Sequence, residues 1–213
     1  TELCPDHTQT PDRNTQLAAL MYSMAKKYEL LDKKDMPGSH EKFKHKYQVA
    51  SALEALALTK VTAKPDEGKI NTAVFVLADT IINNHLYDKS LFKSDTKSKV
   101  SQALHELDLS PTQRLTIKLA EQIVKLQTKK GHDQPGNKIH AKLQVCNGMM
   151  KYLKGEKGKD AAQVLDELVQ KSDGYSQSTF GKSTTAQLLE DLKECDDDFE
   201  YAHEPTRSCF GYH

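Results

Sequence analysis

Apolar residues recur at intervals of three and four along most of the chain, a spacing that places them on one side of an α-helix. Charged and polar residues separate them, and no run alternates convincingly with the period of two that marks a half-buried β-strand. The pattern therefore predicts an all-α protein of about eight amphipathic helices. Their apolar stripes fall within residues 17–31, 43–56, 70–82, 100–107, 115–126, 139–153, 161–168 and 188–199.

Two of these segments predict more than the presence of a helix. The third carries large apolar residues around more of its circumference than the others, from Ile70 to Ile82. We therefore expect it to be a central helix that packs on several sides. In the seventh segment the expected stripe consists of Ala161, Val164, Leu165 and Leu168.

Helix-start signals agree with these limits. Ser110, Pro111 and Gln113 offer an N-cap, a first-turn proline and the glutamine of a capping box, in that order. Thr184 and Gln187 repeat the box without the proline, and either Ser183 or Thr184 is expected to cap the helix that follows. Both signals predict that a helix begins at the residues that follow them.

The two halves of the chain share the order of their helices and breaks. Pro37-Gly38 matches Pro135-Gly136, and residues 46–49 match residues 142–145. We favour a duplication over chance similarity among helices rich in lysine, glutamine and leucine. It predicts two tandem four-helix repeats, 14–108 and 110–200, packed into one compact body rather than two independent domains, with a flexible N-terminus at 1–13 and a C-terminal tail at 201–213.

Composition excludes several classes of protein. The 213 residues include 30 basic and 30 acidic ones, and no apolar run approaches the roughly 18 residues that cross a membrane. Only three basic residues are arginine, the residue that binds phosphate and guanine in a bidentate way, so sequence-specific nucleic-acid binding is not expected. The first residues lack the basic and apolar regions of a signal peptide.

No set of residues predicts a catalytic or metal site. Residues 181–184 end like a phosphate-binding loop, but the first glycine of that motif and its preceding strand are missing. Cys146 and Cys195 lie on apolar stripes, which indicates core packing. The histidines lack partners at metal-ligand spacing, and we expect them to be solvated or at helix ends. We therefore predict no catalytic residue, metal or cofactor, and leave open whether Cys4 and Cys209 are reactive.

The zero net charge conceals a division of the chain. Residues 1–182 hold 28 basic and 22 acidic residues, whereas residues 183–213 hold two basic and eight acidic ones. Such an acidic segment is typical of an interaction signal, and equally of a last helix with a frayed end. The candidate interaction residues are Glu190, Asp191, Glu194, Asp196, Asp197, Asp198, Glu200 and Phe210.

The acidic block from Glu190 to Glu204, with Phe210 fourth from the end, resembles the C-terminal translocation signal of effectors exported by bacterial type IVB secretion systems. Those signals are glutamate-rich and carry a hydrophobic residue near the end. This chain has aspartate at Asp196, Asp197 and Asp198 where such signals favour glutamate. The resemblance implies passage from a bacterial cytoplasm into a host cell, and it implies no particular activity.

Together these features favour a non-enzymatic interaction module, an exported effector that binds a host protein, with an amphipathic helix as a plausible ligand. The basic excess of residues 1–182 would support weak contact with anionic lipids. One alternative is an enzyme whose site is assembled between the two halves, with His45, His140 and Cys146 as the first residues to inspect. The other is a cytoplasmic helical scaffold that is not exported.

Overall fold

A computed structural model of the protein describes residues 12–33, 40–61, 64–87, 95–155, 159–178 and 181–196. Within these residues the chain forms eight α-helices and no β-strand, which confirms the all-α prediction. The helices are α1 (Arg13–Lys33), α2 (His40–Thr59), α3 (Glu67–Asn83), α4 (Asp95–Glu106), α5 (Pro111–Gln127), α6 (Lys138–Lys154), α7 (Lys159–Lys171) and α8 (Thr184–Cys195).

The chain divides into two compact units, Thr1–Asp108 and Leu109–His213, and each contains four of the described helices. This division lies next to the boundary predicted between the two repeats. The duplication itself, and the packing of its copies into one body, stay predictions.

In the first unit α2 is the central helix, because it packs against α1, α3 and α4. Its residues Val49, Leu53 and Leu56 are fully buried, together with Ala50 and Ala57 beside them. Alanine side chains occupy little of the space between two helix axes, so they allow a neighbouring helix to approach closely. The contact between α1 and α2 is accordingly the most extensive in this unit.

The prediction that the third helix is central is wrong. α3 packs chiefly against α2, and it buries one stripe that includes Ile70, Val74 and Ile81. The apolar residues outside this stripe are not enclosed, since Phe75 is partly exposed and Val76 is 52% exposed. The breadth of its apolar surface therefore reflects exposed residues and not additional packing partners.

In the second unit α6 holds the central place, with contacts to α5, α7 and α8. Val145, Cys146 and Met149 are fully buried on this helix. α5 also packs directly against α8. Among the described helices of the first unit, the corresponding pair, α1 and α4, is not one of the main packing contacts.

The register of α7 differs from the predicted stripe. Ala162 and Leu165 are buried, whereas Val164 is 66% exposed. The reason lies on α6, where Gly148 leaves room for a side chain of α7. A Cβ atom at this glycine would lie 2.4 Å from Cδ2 of Leu168. The close approach of α7 through Leu165 and Leu168 turns Val164 towards solvent.

The start of α5 agrees with its sequence signal. The Oγ atom of Ser110 accepts the backbone N–H of Gln113 at 3.3 Å, and the side chain of Gln113 accepts the backbone N–H of Ser110 at 2.9 Å. Pro111 occupies the first helical position. The predicted capping box is thus confirmed, and it fixes the end of α5 from which the second unit begins.

The start of α8 agrees with the first of its two predicted caps. Ser183 is the N-cap, and its Oγ atom accepts the backbone N–H of Ala186 at 3.2 Å. Thr184 is therefore the first residue of the helix, and the capping box predicted for Thr184 and Gln187 is wrong. The same Ser183 hydroxyl donates to the carbonyl of Tyr175 at 2.7 Å, which ties the preceding loop to the helix start.

Two glycines in the turn between α5 and α6 adopt left-handed backbone angles, with φ of 85° at Gly131 and 82° at Gly136. Their surroundings differ. A Cβ atom at Gly131 would lie 2.3 Å from the side-chain nitrogen of Asn137, the N-cap of α6, whereas a Cβ at Gly136 would meet no atom within 4 Å. The turn is therefore folded tightly against α6 at Gly131.

Replacing these glycines by alanine separates backbone strain from steric conflict. We expect Gly136→Ala to lower the free energy of unfolding by about 1–2 kcal/mol, because an L-residue is disfavoured at positive φ. Gly131→Ala should lower it by more, since its Cβ also displaces the N-cap of α6. Urea unfolding followed by circular dichroism measures both values. Equal losses in the two variants would contradict the close packing at Gly131.

Candidate functional site

A surface groove of about 480 Å³ lies in the second unit between the first half of α5 and the last turns of α8. Leucine and proline side chains supply its apolar surface, and charged side chains of both signs line it. We call it the α5–α8 groove. Its lining residues are Leu109, Pro111, Arg114, Leu115, Lys118, Asp191, Glu194 and Cys195.

The positive charges of the groove come from α5. Arg114 and Lys118 are four residues apart, so they lie on the same face of the helix. The Nε–H group of Arg114 donates to the carbonyl of Leu109 at 2.9 Å, which fixes the guanidinium at the groove. The sequence analysis did not identify these two residues as part of a site. The capping-box signal at residues 110–113 was available, and two cations spaced four residues apart follow it, which indicates one positive helix face.

The negative charges come from α8 and include two of the predicted interaction residues. Asp191 and Glu194 are three residues apart and both line the groove. Glu190 is exposed and points elsewhere, because it forms an ion pair with Lys182. The structure therefore brings Asp191 and Glu194 together and leaves Glu190 outside the groove.

The remaining predicted residues divide into two groups. Asp196 is buried and is the C-cap of α8, so it belongs to the end of the helix and not to an exposed acidic surface. Asp197, Asp198, Glu200 and Phe210 lie outside the described residues. The interpretation of this segment as a last helix therefore applies as far as Asp196.

An ion pair spans the groove. The Nζ atom of Lys118 lies 3.7 Å from a carboxylate oxygen of Asp191, and these side chains are 62% and 36% exposed. Pairs in such solvent-accessible positions contribute about 0–1 kcal/mol, because water screens them. Charged groups of a ligand can therefore replace this ion pair at little cost in free energy.

The described cysteines differ in their surroundings. Cys146 is fully buried, as predicted, and its Sγ atom lies 3.7 Å from the hydroxyl of Thr185. Burial raises the pKa of the Cys146 thiol to about 11, which keeps it protonated at neutral pH and unsuited to act as a nucleophile. Cys195 is only partly buried, so the prediction of core packing is wrong for it. Cys4 and Cys209 lie outside the described residues.

His45 does not fit the expectation of a solvated histidine. It is buried on α2, and its Nδ1 atom accepts the backbone N–H of Leu86 at 3.3 Å. Burial lowers the pKa of His45; the charge of Glu41 opposes this shift, and His85 and Lys44 reinforce it. The neutral imidazole thus holds the chain that follows α3 against α2.

His45 also lines a second groove, of about 650 Å³, between α2 and α3. Tyr47 and Val76 contribute apolar surface there, while Asp79 and Thr80 contribute polar atoms. Thr80 directs its hydroxyl to the carbonyl of Val76 within its own helix at 2.7 Å. Eight of the ten described residues that line it are polar or charged, against four of eight in the α5–α8 groove, so its lining offers fewer apolar side chains to a docked helix.

The three residues named for an enzymatic site have structural contacts of their own. His45 holds Leu86, the Nδ1 atom of His140 is hydrogen-bonded to the carbonyl of His132 at 2.8 Å, and Cys146 is enclosed in the core. Cys195 lines the α5–α8 groove, and the described residues that line it with Cys195 do not include a histidine. The described part of the chain contains no cluster of three or more His, Cys, Asp or Glu side chains that could hold a metal.

Comparison with known proteins identifies no relative. No family model matches the sequence, no curated protein matches it, and no solved structure matches the fold. None of the described helices has the length and apolar character needed to cross a membrane. The candidate function therefore rests on the geometry of the chain itself.

The role of His45 can be tested through pH. Because its folded pKa is lowered from 6.5, the neutral imidazole contributes stability that is complete above pH 6.5 and is lost as the pH falls through the folded pKa. We expect His45→Asn, which retains an acceptor for Leu86, to lose less stability between pH 7 and pH 5 than the original chain. Urea unfolding at the two pH values measures this difference.

The control for this experiment is His105→Asn, since His105 is exposed on α4. This variant should keep the pH dependence of the original chain. If His45→Asn and the original chain lose equal stability on acidification, the burial of a neutral His45 does not contribute to the folding of the first unit.

Proposed function

We propose that this protein is a helical interaction module whose α5–α8 groove receives an amphipathic helix of a partner protein. The observation that carries the proposal is the combination of an apolar base with charges of opposite sign on the two rims. Helix-in-groove recognition uses this arrangement, because the apolar stripe of the ligand is buried while its flanking charges meet the rims.

The rims define the chemistry of the partner. Arg114 and Lys118 favour acidic residues along one edge of the docked helix, and Asp191 and Glu194 favour basic residues along the other. Such an arrangement also fixes the direction of the ligand, since a reversed helix would bring like charges together. The ion pair between Lys118 and Asp191 keeps the empty groove electrically balanced until a ligand replaces it.

We further propose that the protein is an effector of a type IVB secretion system and that its partner is a host protein. The support is the acidic run from Glu190 to Glu204 followed by Phe210. Within α8, Glu190 pairs with Lys182 and Asp191 with Lys118, so these two acids of the run have partners inside the fold. The basic excess of residues 1–182 would add weak contact with anionic lipids in the host.

Reversing the rim charges tests the groove. We expect Lys118→Glu to weaken binding of the host partner at least tenfold, because it places a like charge against the acidic edge of the docked helix. The double variant Lys118→Glu with Asp191→Lys restores the ion pair but exchanges one charge on each rim, so it places a like charge against each edge of the docked helix and should be at least as weak. The partner is isolated from host-cell lysate on the immobilised chain, and its dissociation constant is then measured with purified proteins.

Lys151→Glu is the matched control, since it reverses one exposed lysine of the same unit away from the groove. This variant should bind like the original chain. A double variant that binds the partner with the original affinity would show that rim polarity is irrelevant, and the groove would then be rejected as the binding site.

Export is tested separately with a translocation reporter fused to the N-terminus of the chain. We expect reporter activity in host cells only when the bacterium has a functional type IVB system and the chain retains residues 197–213. Circular dichroism of the shortened chain checks that its helices are intact. Equal translocation with and without these residues, or from bacteria whose secretion system is inactive, would contradict the proposed export signal.

A further inference from the structure

The chain leaves α8 beside the α5–α8 groove. Cys195 is the last residue of this helix, and it lines the groove. Asp191, one turn earlier, pairs with Lys118, and every other residue that the α5 side contributes to the groove precedes Lys118. The end of α8 therefore lies towards the start of α5, where Pro111 and Arg114 line the groove.

The residue after α8 lies against the protein. Asp196 has an extended backbone, with φ of −139° and ψ of 102°, and only 7% of the residue is exposed. A residue enclosed in this way keeps the backbone at the surface of the second unit. Residue 197 therefore begins next to the groove.

The eight residues that follow have a pattern that this end of the groove favours. The segment 197–204 holds two aromatic residues, Phe199 and Tyr201, among four acids. In an extended conformation successive side chains point to opposite sides of the chain. Phe199 and Tyr201 would then share one side, and Asp198 and Glu200 the other. Such a segment offers an apolar side to the base of the groove and an acidic side to its positive rim.

The end of the groove next to α8 carries matching groups. Leu109, Pro111 and Leu115 supply apolar surface, and Arg114 is held there by its hydrogen bond to the carbonyl of Leu109. The first turn of α5 adjoins this end, and the helix dipole favours negative charge there. Glu194 on the opposite rim repels the acids of the segment and so directs them towards Arg114.

The segment is long enough to cover the groove. From Pro111 to Lys118 the α5 rim measures about 11 Å at a rise of 1.5 Å per residue. The extended segment reaches about 26 Å at roughly 3.3 Å per residue, so the chain can turn at residue 197 and still pass along the rim. A tether this short holds the segment at an effective concentration of about 1 mM, so a dissociation constant of about 0.1 mM fills the groove in about nine of ten molecules.

We propose that residues 197–204 dock in the α5–α8 groove of their own chain, with the aromatic residues on its apolar base and the acids beside Arg114. The regulatory consequence of this contact rests on the proposed function, because the docked segment occupies the place of the partner helix. A partner must displace the segment before it binds, so the apparent affinity of the partner falls about tenfold.

Tryptophan fluorescence tests the docking without a partner. The chain contains no tryptophan, so Phe199→Trp places a single indole in the segment and Tyr212→Trp places one beyond it. We expect acrylamide to quench the indole of Phe199→Trp about fivefold less efficiently than that of Tyr212→Trp, because most molecules hold residue 199 in the groove. Dilution should not change this difference, since the tether acts within one chain.

Charge reversal in the segment should release it. When Asp198→Lys and Glu200→Lys are added to the reporter Phe199→Trp, we expect quenching as efficient as for the reporter at position 212, because two cations then face Arg114. The partner isolated from host-cell lysate should bind the double reversal about tenfold more tightly than the original chain, since no segment has to be displaced.

The matched control is Asp160→Lys with Glu167→Lys, which reverses two exposed acids on α7. No described residue of α7 lines the groove, so the indole at position 199 should stay protected from acrylamide. A protected indole in a chain that captures no partner would support the docking and reject the proposed function.

Three results would overturn the docking. The first is an indole at position 199 that is quenched as readily as the one at position 212. The second is an indole that stays protected in the double reversal of Asp198 and Glu200. The third is protection that is lost on dilution, which would assign the groove to the segment of a second copy of the chain.

Discussion

The burial of one broad apolar arc in each unit is the constraint on which the rest of the structure depends. At 100° per residue, the buried positions of α2 from His45 to Ala57 cover roughly 160° of that helix. Those of α6 from Ala141 to Leu153 cover a similar arc, roughly 180°. A helix with so wide an apolar surface must be covered from several sides. In the first unit this requirement places α1, α3 and α4 around α2. In the second unit α5 also buries a wide arc, from Gln113 to Leu126, and it packs against both α6 and α8.

The number and the type of the helices follow from the period of the apolar residues, but the identity of the central helix does not. α3 carries large apolar side chains around much of its circumference, whereas α2 achieves its contacts with alanines such as Ala50 and Ala57 as well as with leucines. A prediction from apolar surface alone selects α3 as the central helix, because the amount of apolar surface says nothing about how closely two helices can approach. The exposure of Val164 has the same origin, since Gly148 on the neighbouring helix decides which face of α7 is covered.

Only the acidic rim of the α5–α8 groove was predictable from the sequence. The acidic run of the sequence marks Asp191 and Glu194, but the opposite rim of Arg114 and Lys118 comes from a helix more than 70 residues earlier in the chain. Only tertiary packing brings such positions together. His45 could have been recognised, because it precedes Val49 by four residues and so continues the buried stripe of α2. Burial is the main cause of its lowered pKa, and its hydrogen bond comes from Leu86, 41 residues later in the chain, which no local pattern reveals.

α5 serves the core of the second unit and its groove at the same time. Leu119 and Ile123 are buried on this helix, whereas Arg114 and Lys118 are exposed and line the groove. Because α5 packs against both α6 and α8, the packing that buries the leucine and isoleucine also fixes where the two cations lie. Substitutions at exposed positions usually change the free energy of unfolding by less than about 0.5 kcal/mol, so the charge of the groove can change while the core of the unit stays the same.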